Sequence, residues 1–337
     1  VGKSMNYILE VKDLKTSFYV PSGEVKAVDG VSFNLEKGEV IGIVGESGSG
    51  KSVTAYSILQ ILSSPGKITG GSIKFKDQEL INIKESELRK IRGNRIGIIF
   101  QDPMTSLNPV FSIGNQLIEG IRLHRNLDKK EAKAKAIEIL KLVGVNDPEK
   151  RIKQYPYQFS GGMLQRVMIA MALVCEPDIL IADEPTTALD VTIQAQILDL
   201  MKELQKRMGM AIILITHDLG VVAEMCDKVH IMYAGKIVES GKVEDIFYNP
   251  KHEYTKGLLR SLPALDKTKE KLKPIGGSPI DLLNMPKGCA FAPRCEKAMK
   301  ICLERYPDEY QVSKDHFAFC WNYVLDLIKE GKIKIEV

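Results

Sequence analysis

Residues 45–52, GESGSGKS, form a glycine-rich segment that can bind the phosphates of a nucleotide. The pattern G-x-x-x-x-G-K-[ST] turns backbone N–H groups toward phosphate oxygens, and it lies here between an apolar run at 39–45 and a helical pattern. Lys51 can then contact the β- and γ-phosphates, while the Ser52 hydroxyl can ligate Mg²⁺. The other candidate nucleotide contacts are Gly45, Ser47, Gly48, Ser49, Gly50 and Val53.

A pair of carboxylates at the end of ILIADEP, residues 179–185, is the second candidate group. The apolar residues predict a buried strand that ends at Asp183 and Glu184. Asp183 can hold Mg²⁺ through its hydration shell, and Glu184 can polarise an attacking water molecule. Two carboxylates at a strand end are common on their own. Together with the upstream glycine-rich segment they indicate Mg²⁺-dependent ATP hydrolysis.

Short apolar runs alternate with longer helical patterns, which predicts an α/β fold with a largely parallel sheet. The strand candidates are residues 39–45, 95–100, 178–183, 211–216 and 228–233. The helix candidates are residues 131–143, 163–174 and 191–208, with a short amphipathic helix within 249–263. The first 35 residues are rich in β-formers, so we expect an antiparallel sheet beside the main one.

Composition narrows the possible functions. The formal charge is +4 with both signs mixed along the 337 residues, so no basic stripe indicates a nucleic-acid partner. No apolar run approaches the roughly 20 residues that span a bilayer, and the start lacks a signal-peptide pattern. We therefore expect the protein in the cytoplasm.

The chain divides into a core and an extension. Residues 1–4, VGKS, precede Met5 and are interpreted as a remnant of an expression vector. Residues 5–245 are predicted to form a nucleotide-binding domain, and residues 246–337 a C-terminal extension. Within this extension the charged stretch 264–273 reads as a linker.

FSGGMLQR, residues 159–166, lies between the two motifs and resembles the signature of the ATP-binding-cassette family, usually L-S-G-G-Q. Phe159 and Met163 replace its outer residues. The resemblance implies a P-loop ATP-binding-cassette fold with a parallel-sheet core, an N-terminal antiparallel β subdomain and a helical signature subdomain. It also implies that Ser160, Gly161 and Gly162 complete the nucleotide site of a second cassette in a head-to-tail dimer.

Other family motifs follow in order. Gln101 matches the loop glutamine that touches Mg²⁺ and relays to the membrane subunits. Asp190, in TALD, matches the residue that contacts the opposite subunit, and His217 matches the histidine at the γ-phosphate. An aromatic ring near the start is implied to stack on adenine; Phe18 aligns best, and the adjacent Tyr19 is the alternative.

The resemblance narrows to the D-type ATPase subunit of the peptide-importer branch. The matching segments are QDPMTSLNPV (101–110), YPYQFSGGM (155–163), IVESGKVEDIF (237–247), HEYTKGLLRSLP (252–263) and GCAFAPRC (288–295). Tyr157 and Glu253 depart from the branch pattern, which usually has histidine and proline there.

This branch implies an ATPase subunit for di- or oligopeptide uptake, peripheral on the cytoplasmic face of the membrane. Its partners would be transmembrane permease subunits, a second, non-identical cassette subunit and, indirectly, an extracytoplasmic substrate-binding protein. Nickel or another small solute remains an alternative cargo. A soluble cassette ATPase of DNA repair or translation is disfavoured, because 106 residues without sustained heptads separate the two glycine-rich motifs and there is one P-loop.

Four cysteines are concentrated within residues 285–320, here called the cysteine segment: Cys289, Cys295, Cys302 and Cys320. A reducing compartment disfavours disulfides, and zinc sites usually contain C-x₂-C pairs that this segment lacks. Four thiolates suit an iron–sulfur cluster, and the resemblance implies [4Fe–4S]. Zn²⁺, unliganded cysteines and substitution by His316 remain alternatives. We expect a structural staple and, since residues 45–52 should lie in another unit, ATP binding that does not depend on it.

Overall fold

The computed structural model describes residues 7–187, 189–262 and 274–333. The predicted vector remnant 1–4 and the predicted linker 264–273 lie outside this described part of the chain. The strands are β1 Tyr7–Val20, β2 Gly23–Glu36, β3 Val40–Val44, β4 Gly66–Phe75, β5 Gln78–Glu79, β6 Ile96–Ile99, β7 Ile179–Asp183, β8 Ala211–Thr216, β9 Lys228–Tyr233, β10 Lys236–Lys242, β11 Tyr310–Ser313 and β12 His316–Ala318.

The α-helices of the same residues are α1 Lys51–Leu59, α2 Glu85–Ile91, α3 Pro103–Ser106, α4 Ile113–His124, α5 Lys129–Leu142, α6 Pro148–Arg151, α7 Gly161–Leu173, α8 Val191–Met208, α9 Leu219–Met225, α10 Val243–Tyr248, α11 Glu253–Arg260, α12 Lys300–Glu304 and α13 Trp321–Lys329. All five predicted strands are confirmed as β3, β6, β7, β8 and β9, and the four predicted helices as α5, α7, α8 and α11. The predicted boundary between residues 245 and 246 stays a prediction.

The described chain divides into two compact units. The first unit contains residues 7–9, Asn34–Val40 and Lys74–Ile215. The second unit contains Glu10–Phe33, Ile41–Ile73 and the described residues from Thr216 onward.

In the first unit, β6, β7 and β8 are neighbouring parallel strands, with Ile96 opposite Ile179 and Ile179 opposite Ala211. Every residue of β7 is buried, as expected for a strand covered on both faces. Helices α4, α5 and α7 contact one another, and α7 also contacts β6. The carboxyl ends of parallel strands meet at one sheet edge, so β6 and β7 direct the residues that follow them to that edge.

In the second unit, β3 pairs with β9 in parallel, and antiparallel pairing continues through β10 and β12 to β11. Glu239 lies opposite Ala318 in the β10–β12 pair. The strands β2, β1 and β4 form another sheet in that order, and β1 and β2 are separated by two residues. The C-terminal extension therefore contributes β11 and β12 to the sheet that contains β3, so it is joined to this sheet by strand pairing as well as by the chain itself.

Within the described ranges, no helix has both the length and the apolar character needed to cross a membrane.

Candidate functional site

The glycine-rich segment, residues 45–52, follows β3 and leads into α1, which begins at Lys51; we call it the phosphate-binding loop. Two of its glycines have no room for a side chain. A Cβ at Gly45 would overlap the carbonyl oxygen of Met232, and one at Gly50 would overlap that of Ala27. Gly50 also has φ 101°, which other residues rarely adopt. The loop is thus fitted closely against β9 and β2.

Lys51 folds back over this loop. Its Nζ donates to the carbonyl oxygens of Gly45 at 2.7 Å and Glu46 at 2.9 Å, and the residue is 5% exposed. Ser47 and Gly48 are exposed, while Ser52 and Val53 are half-buried in the first turn of α1. The ammonium and the exposed loop backbone form a set of donors that can bind an anion.

The two aromatic candidates near the start lie in β1 of the second unit. Phe18 is half-buried and packs closely on Gly66, where an added Cβ would come within 2.7 Å of the phenylalanine ring. Tyr19 is 49% exposed. Which ring stacks on adenine stays a prediction. His217, also in the second unit, is exposed directly after β8.

In the first unit, the predicted carboxylates lie at the end of β7, where Asp183 is fully buried. Glu184 has φ 47°, a left-handed conformation that costs a residue with a side chain about 1–3 kcal/mol. Its N–H donates to the carbonyl oxygen of Ile215 at 2.9 Å, which holds the backbone in this conformation.

The Glu184 carboxylate has two neighbours that fix its orientation. Its Oε2 accepts from Gln101 Nε2 and from Thr187 Oγ1, both at 2.9 Å. We call Gln101, Glu184 and Thr187 the carboxylate cluster. The structure brings Gln101 and Glu184 together as candidates for one site, whereas Thr187 was not predicted. The sequence could have indicated Thr187, because this hydroxyl residue lies three positions after Glu184 in TTALD.

The candidate signature residues open α7 in the first unit. Ser160 is exposed at the N-cap and its hydroxyl does not cap the helix; an added Cβ at Gly161 would meet open space. A Cβ at Gly162 would lie 2.9 Å from Ile193, and Asp190 caps α8 by accepting from the Ile193 N–H at 2.9 Å. The signature residue Gly162 and Asp190 of TALD thus lie close together at the start of α8, with the Ser160 hydroxyl and the Gly161 backbone exposed.

The four cysteines of the cysteine segment line one small cavity, which His252 and Trp321 also border. Burial raises the pKa of Cys289 to about 12, and it also raises the pKa values of Cys295 and Cys320. Without a cation, these thiols would stay protonated at neutral pH. In the part of the chain that the structure describes, no group of three or more His, Cys, Asp or Glu side chains is arranged to hold a single metal ion.

His316 was an alternative ligand, but its Nε2 lies 2.8 Å from Glu239 Oε1 and both side chains are fully buried. This pairing joins β12 to β10, which gives His316 a structural role.

The two departures from the peptide-importer pattern lie in different surroundings. Tyr157 is exposed and stacks on Tyr155 with ring centroids 5.8 Å apart. Glu253 is nearly buried and pairs with Lys256 at 2.7 Å and Lys297 at 3.3 Å. Burial alone would raise the pKa of Glu253, but the hydrogen bonds and charges of the two lysines together lower it below its usual value.

The expectation that the cysteine segment lies in a different unit from the phosphate-binding loop is wrong. Both belong to the second unit. Arg294, the residue before Cys295, donates to both carboxylate oxygens of Glu46 at 2.6 and 3.0 Å. The Glu46 N–H donates to the hydroxyl of Tyr254 at 2.9 Å. Glu46, Tyr254 and Arg294 were not singled out from the sequence, because nothing local connects residues more than 200 positions apart.

Comparison with known proteins identifies relatives over nearly the whole chain. Residues 28–187 match the family described as ABC transporter, and residues 238–302 match the oligopeptide/dipeptide transporter C-terminal region. The dipeptide transport ATP-binding protein DppD of Bacillus subtilis is 54% identical over 318 residues, covering 94% of this chain and 95% of the relative. The oligopeptide transport ATP-binding protein OppD of Salmonella typhimurium is 51% identical, with 96% of each chain covered.

Among solved structures, a dimeric ATP-binding cassette in a post-hydrolysis state, bound to ADP and Pi, is similar with a TM-score of 0.63 and 28% identity. The match covers 70% of this chain and 98% of that one. The cassette fold expected from the sequence is thereby confirmed.

Proposed function

This chain belongs to the ABC transporter ATP-binding family, and we propose that it is the ATP-hydrolysing subunit of an importer of di- or oligopeptides. The observation that carries the cargo class is the match of residues 238–302 to the oligopeptide/dipeptide transporter C-terminal region. Relatives that are 54% identical over 318 residues and 55% identical over 316 residues support the same assignment.

ATP binding is assigned to the phosphate-binding loop, with Phe18 as the preferred adenine platform and Tyr19 as its alternative. The buried Lys51 ammonium, already directed onto loop carbonyls, can donate to β- and γ-phosphate oxygens without a large rearrangement. The hydroxyl of Ser52, the amide of Gln101 and the carboxylate of Asp183 are oxygen donors of the type that Mg²⁺ prefers. When bound, Mg²⁺ neutralises charge on the phosphates.

Hydrolysis is assigned to Glu184. Hydrogen bonds from Gln101 and Thr187 fix its carboxylate, and a fixed carboxylate can accept a hydrogen bond from the attacking water and orient it. His217, exposed after β8, is assigned to the γ-phosphate, where its side chain stabilises charge that develops as the bond breaks.

Ser160, Gly161, Gly162 and Asp190 are assigned to the nucleotide site of a second cassette. The support is local: the Ser160 hydroxyl is exposed and not engaged in capping α7, and the space at Gly161 is open. A hydroxyl and N–H groups at the start of a thirteen-residue helix can bind a γ-phosphate. The second cassette is proposed to be a related, non-identical subunit.

The importer relationship implies transmembrane permease subunits as partners. In the first unit, Met104, Val110, Phe111 and Tyr157 are between 50% and 71% exposed, near Gln101 or the signature in sequence. We propose these exposed apolar side chains as candidate contacts for a membrane subunit. The chain is accordingly proposed to lie on the cytoplasmic face of the membrane, with a substrate-binding protein acting indirectly and no nucleic-acid partner.

The cysteine segment is proposed to hold a [4Fe–4S] cluster. The donor set fits: four cysteines line one cavity, and burial raises the pKa of three of them, Cys289, Cys295 and Cys320, so a bound cation would favour their thiolate forms. A cubane cluster binds each thiolate to a different iron, so the four sulfurs need not converge on one point. A single Zn²⁺ would need that convergence, so the zinc alternative has less support.

Transport by the purified complex in proteoliposomes tests the proposed function. The complete transporter, purified with its own membrane subunits and supplied with its binding protein, should accumulate labelled di- or tripeptide when ATP is present on the side of this subunit. Labelled Ni²⁺ should not accumulate. ATP-driven uptake of Ni²⁺ without peptide uptake would contradict the assignment of peptides as the cargo. It would leave the assignment of this chain as an ATP-hydrolysing importer subunit unchanged.

A further inference from the structure

Glu46, the second residue of the phosphate-binding loop, is held at each of its polar groups. Its carbonyl oxygen accepts from Lys51 Nζ at 2.9 Å and from the Ser49 N–H at 3.2 Å. Its N–H and its carboxylate instead bind Tyr254 and Arg294. Glu46 therefore connects the phosphate-binding loop to two side chains of the C-terminal extension.

The position of Arg294 is strongly determined. Its side chain is 6% exposed, its Nε donates to the Gly276 carbonyl oxygen at 2.9 Å, and it also donates to the Tyr233 hydroxyl at 3.3 Å. The guanidinium lies over the rings of Tyr233 and Phe291, 5.8 and 6.0 Å from their centroids. A bidentate pair between an almost buried guanidinium and a carboxylate is much less screened than a surface ion pair.

Tyr254 is fixed as firmly. It is fully buried, with its ring centroid 4.7 Å from Tyr233 and 5.3 Å from Phe291. Phe291 lies within the cysteine segment, two residues after Cys289. The hydroxyl that accepts from Glu46 is thus positioned by packing that includes the cysteine segment.

The charge of Glu46 gives this contact a consequence for nucleotide binding. A carboxylate in the loop that receives a triphosphate repels it unless a cation neutralises the carboxylate. Arg294 supplies that cation from a residue adjacent to Cys295. Without Arg294, the charge of Glu46 would be uncompensated, and the residue whose carbonyl oxygen accepts from Lys51 would lose the anchor of its side chain.

We propose that Arg294 is a positioning residue for the phosphate-binding loop, so that the affinity for ATP depends on the order of the cysteine segment. The proposal rests on the proposed function as an ATP-binding subunit. Arg294 does not touch the nucleotide in this account; it neutralises Glu46 and holds its side chain, and it thereby acts on Lys51.

Calorimetric titration of the full chain with Mg-ATP, accompanied by thermal unfolding, tests this proposal. Arg294→Met should raise the Kd for ATP on the order of tenfold, since one truncated partner leaves a poorly solvated charge. Arg294→Lys, which keeps the charge but loses the bidentate geometry, should give a smaller rise. Glu46→Gln combined with Arg294→Met should recover most of the affinity, because no unpaired charge remains.

Arg260→Met is the matched control. This arginine lies 3.8 Å from Glu296 of the cysteine segment, with both side chains about half exposed, so the Kd should stay close to that of the unmodified chain. A lower unfolding temperature with an unchanged Kd in both Arg294 variants would overturn the proposal, as would a double variant no better than Arg294→Met. An unmodified chain that failed to bind Mg-ATP would instead reject the proposed function.

Discussion

The phosphate-binding loop and the carboxylate cluster are held in place by different parts of the chain. Glu46 of the loop is bound by Tyr254 and Arg294, which are 208 and 248 residues away. Glu184 of the carboxylate cluster is bound by Thr187 and Gln101, which are 3 and 83 residues away and belong to the same first unit. The carboxylate cluster is thus supported by residues within the cassette family match, whereas the loop relies on the C-terminal extension.

This difference separates two kinds of functional change. Substitutions around Glu184 should affect the rate of hydrolysis, because they alter the orientation of the carboxylate that we propose acts on water. Substitutions of Tyr254 or Arg294 should affect ATP affinity, because these two side chains act on Glu46 and, through it, on Lys51.

Glu184→Gln should give the largest effect. The amide cannot accept a proton as the carboxylate can, so ATP hydrolysis should slow by about a hundredfold or more while ATP binding is retained. Release of phosphate and calorimetric titration measure the two quantities. Glu176→Gln is the control, since this exposed residue of the first unit pairs with Lys135. An unchanged rate of ATP hydrolysis in Glu184→Gln would contradict the proposal that Glu184 orients the attacking water.

Lys51→Ala should weaken ATP binding by roughly ten- to a hundredfold, the range for losing a charged hydrogen-bond donor. Equilibrium titration with Mg-ATP gives the Kd, and Lys37→Ala, an exposed lysine of the first unit, serves as control. Unaltered affinity in Lys51→Ala would mean that residues 45–52 do not bind the phosphates.

Cys295→Ser should remove iron and, through the adjacent Arg294, weaken ATP binding by up to about tenfold. The unmodified chain, purified without oxygen, should be brown and contain about four irons per chain. Iron analysis and ATP titration should change together in Cys295→Ser, and neither should change in Cys175→Ala, a buried cysteine of the first unit. If the unmodified protein is colourless and contains one zinc, the cysteine segment binds zinc and not an iron–sulfur cluster. If Cys295→Ser loses iron without any change in ATP affinity, the proposed dependence of ATP affinity on the cysteine segment is wrong.

Protonation of His230 at acidic pH should destabilise the second unit. We expect this effect to be the smallest of those predicted. Burial, with a smaller contribution from Lys228, lowers the pKa of His230 to about 4, and both ring nitrogens lack a hydrogen-bond partner among the described residues. The unfolded chain binds a proton near pH 6.5 that the folded chain does not, so stability is complete above that pH and falls toward pH 4. At pH 5.5 the loss should be about 1 kcal/mol.

Denaturant unfolding at pH 7.5 and 5.5 measures this loss. His230→Phe should be less sensitive to pH than the unmodified chain over this interval. An identical pH dependence in the two proteins would contradict a neutral, buried His230.

Local patterns were sufficient to predict the strands and motifs, and distant contacts were not. The apolar runs and glycines that give β3 and the phosphate-binding loop are adjacent in sequence, so their period and spacing identify them. Arg294 lies between Pro293 and Cys295, where an arginine most often remains solvated. Only the folded second unit brings it to Glu46, and the same limit led to the incorrect expectation that the cysteine segment lies in a different unit.

The carboxylate cluster illustrates the same limit over a shorter distance. Glu184 was predicted from the carboxylate pair at the end of a strand and Gln101 from the family resemblance, but their contact depends on β6 and β7 lying side by side. From the TALD motif, only Asp190 was predicted to be functional. The hydroxyl that binds Glu184 belongs to Thr187, the first residue of the same motif.

Steady-state ATP hydrolysis by the complete transporter, measured for Arg294→Met and Thr187→Val over a range of ATP concentrations, tests the separation most directly. Arg294→Met should raise KM for ATP about tenfold and leave kcat nearly unchanged, as expected when binding is lost equally from ground and transition states. Thr187→Val should lower kcat with little change in KM, because Glu184 loses one of the groups that orient it. A fall in kcat at constant KM for both variants would contradict the account.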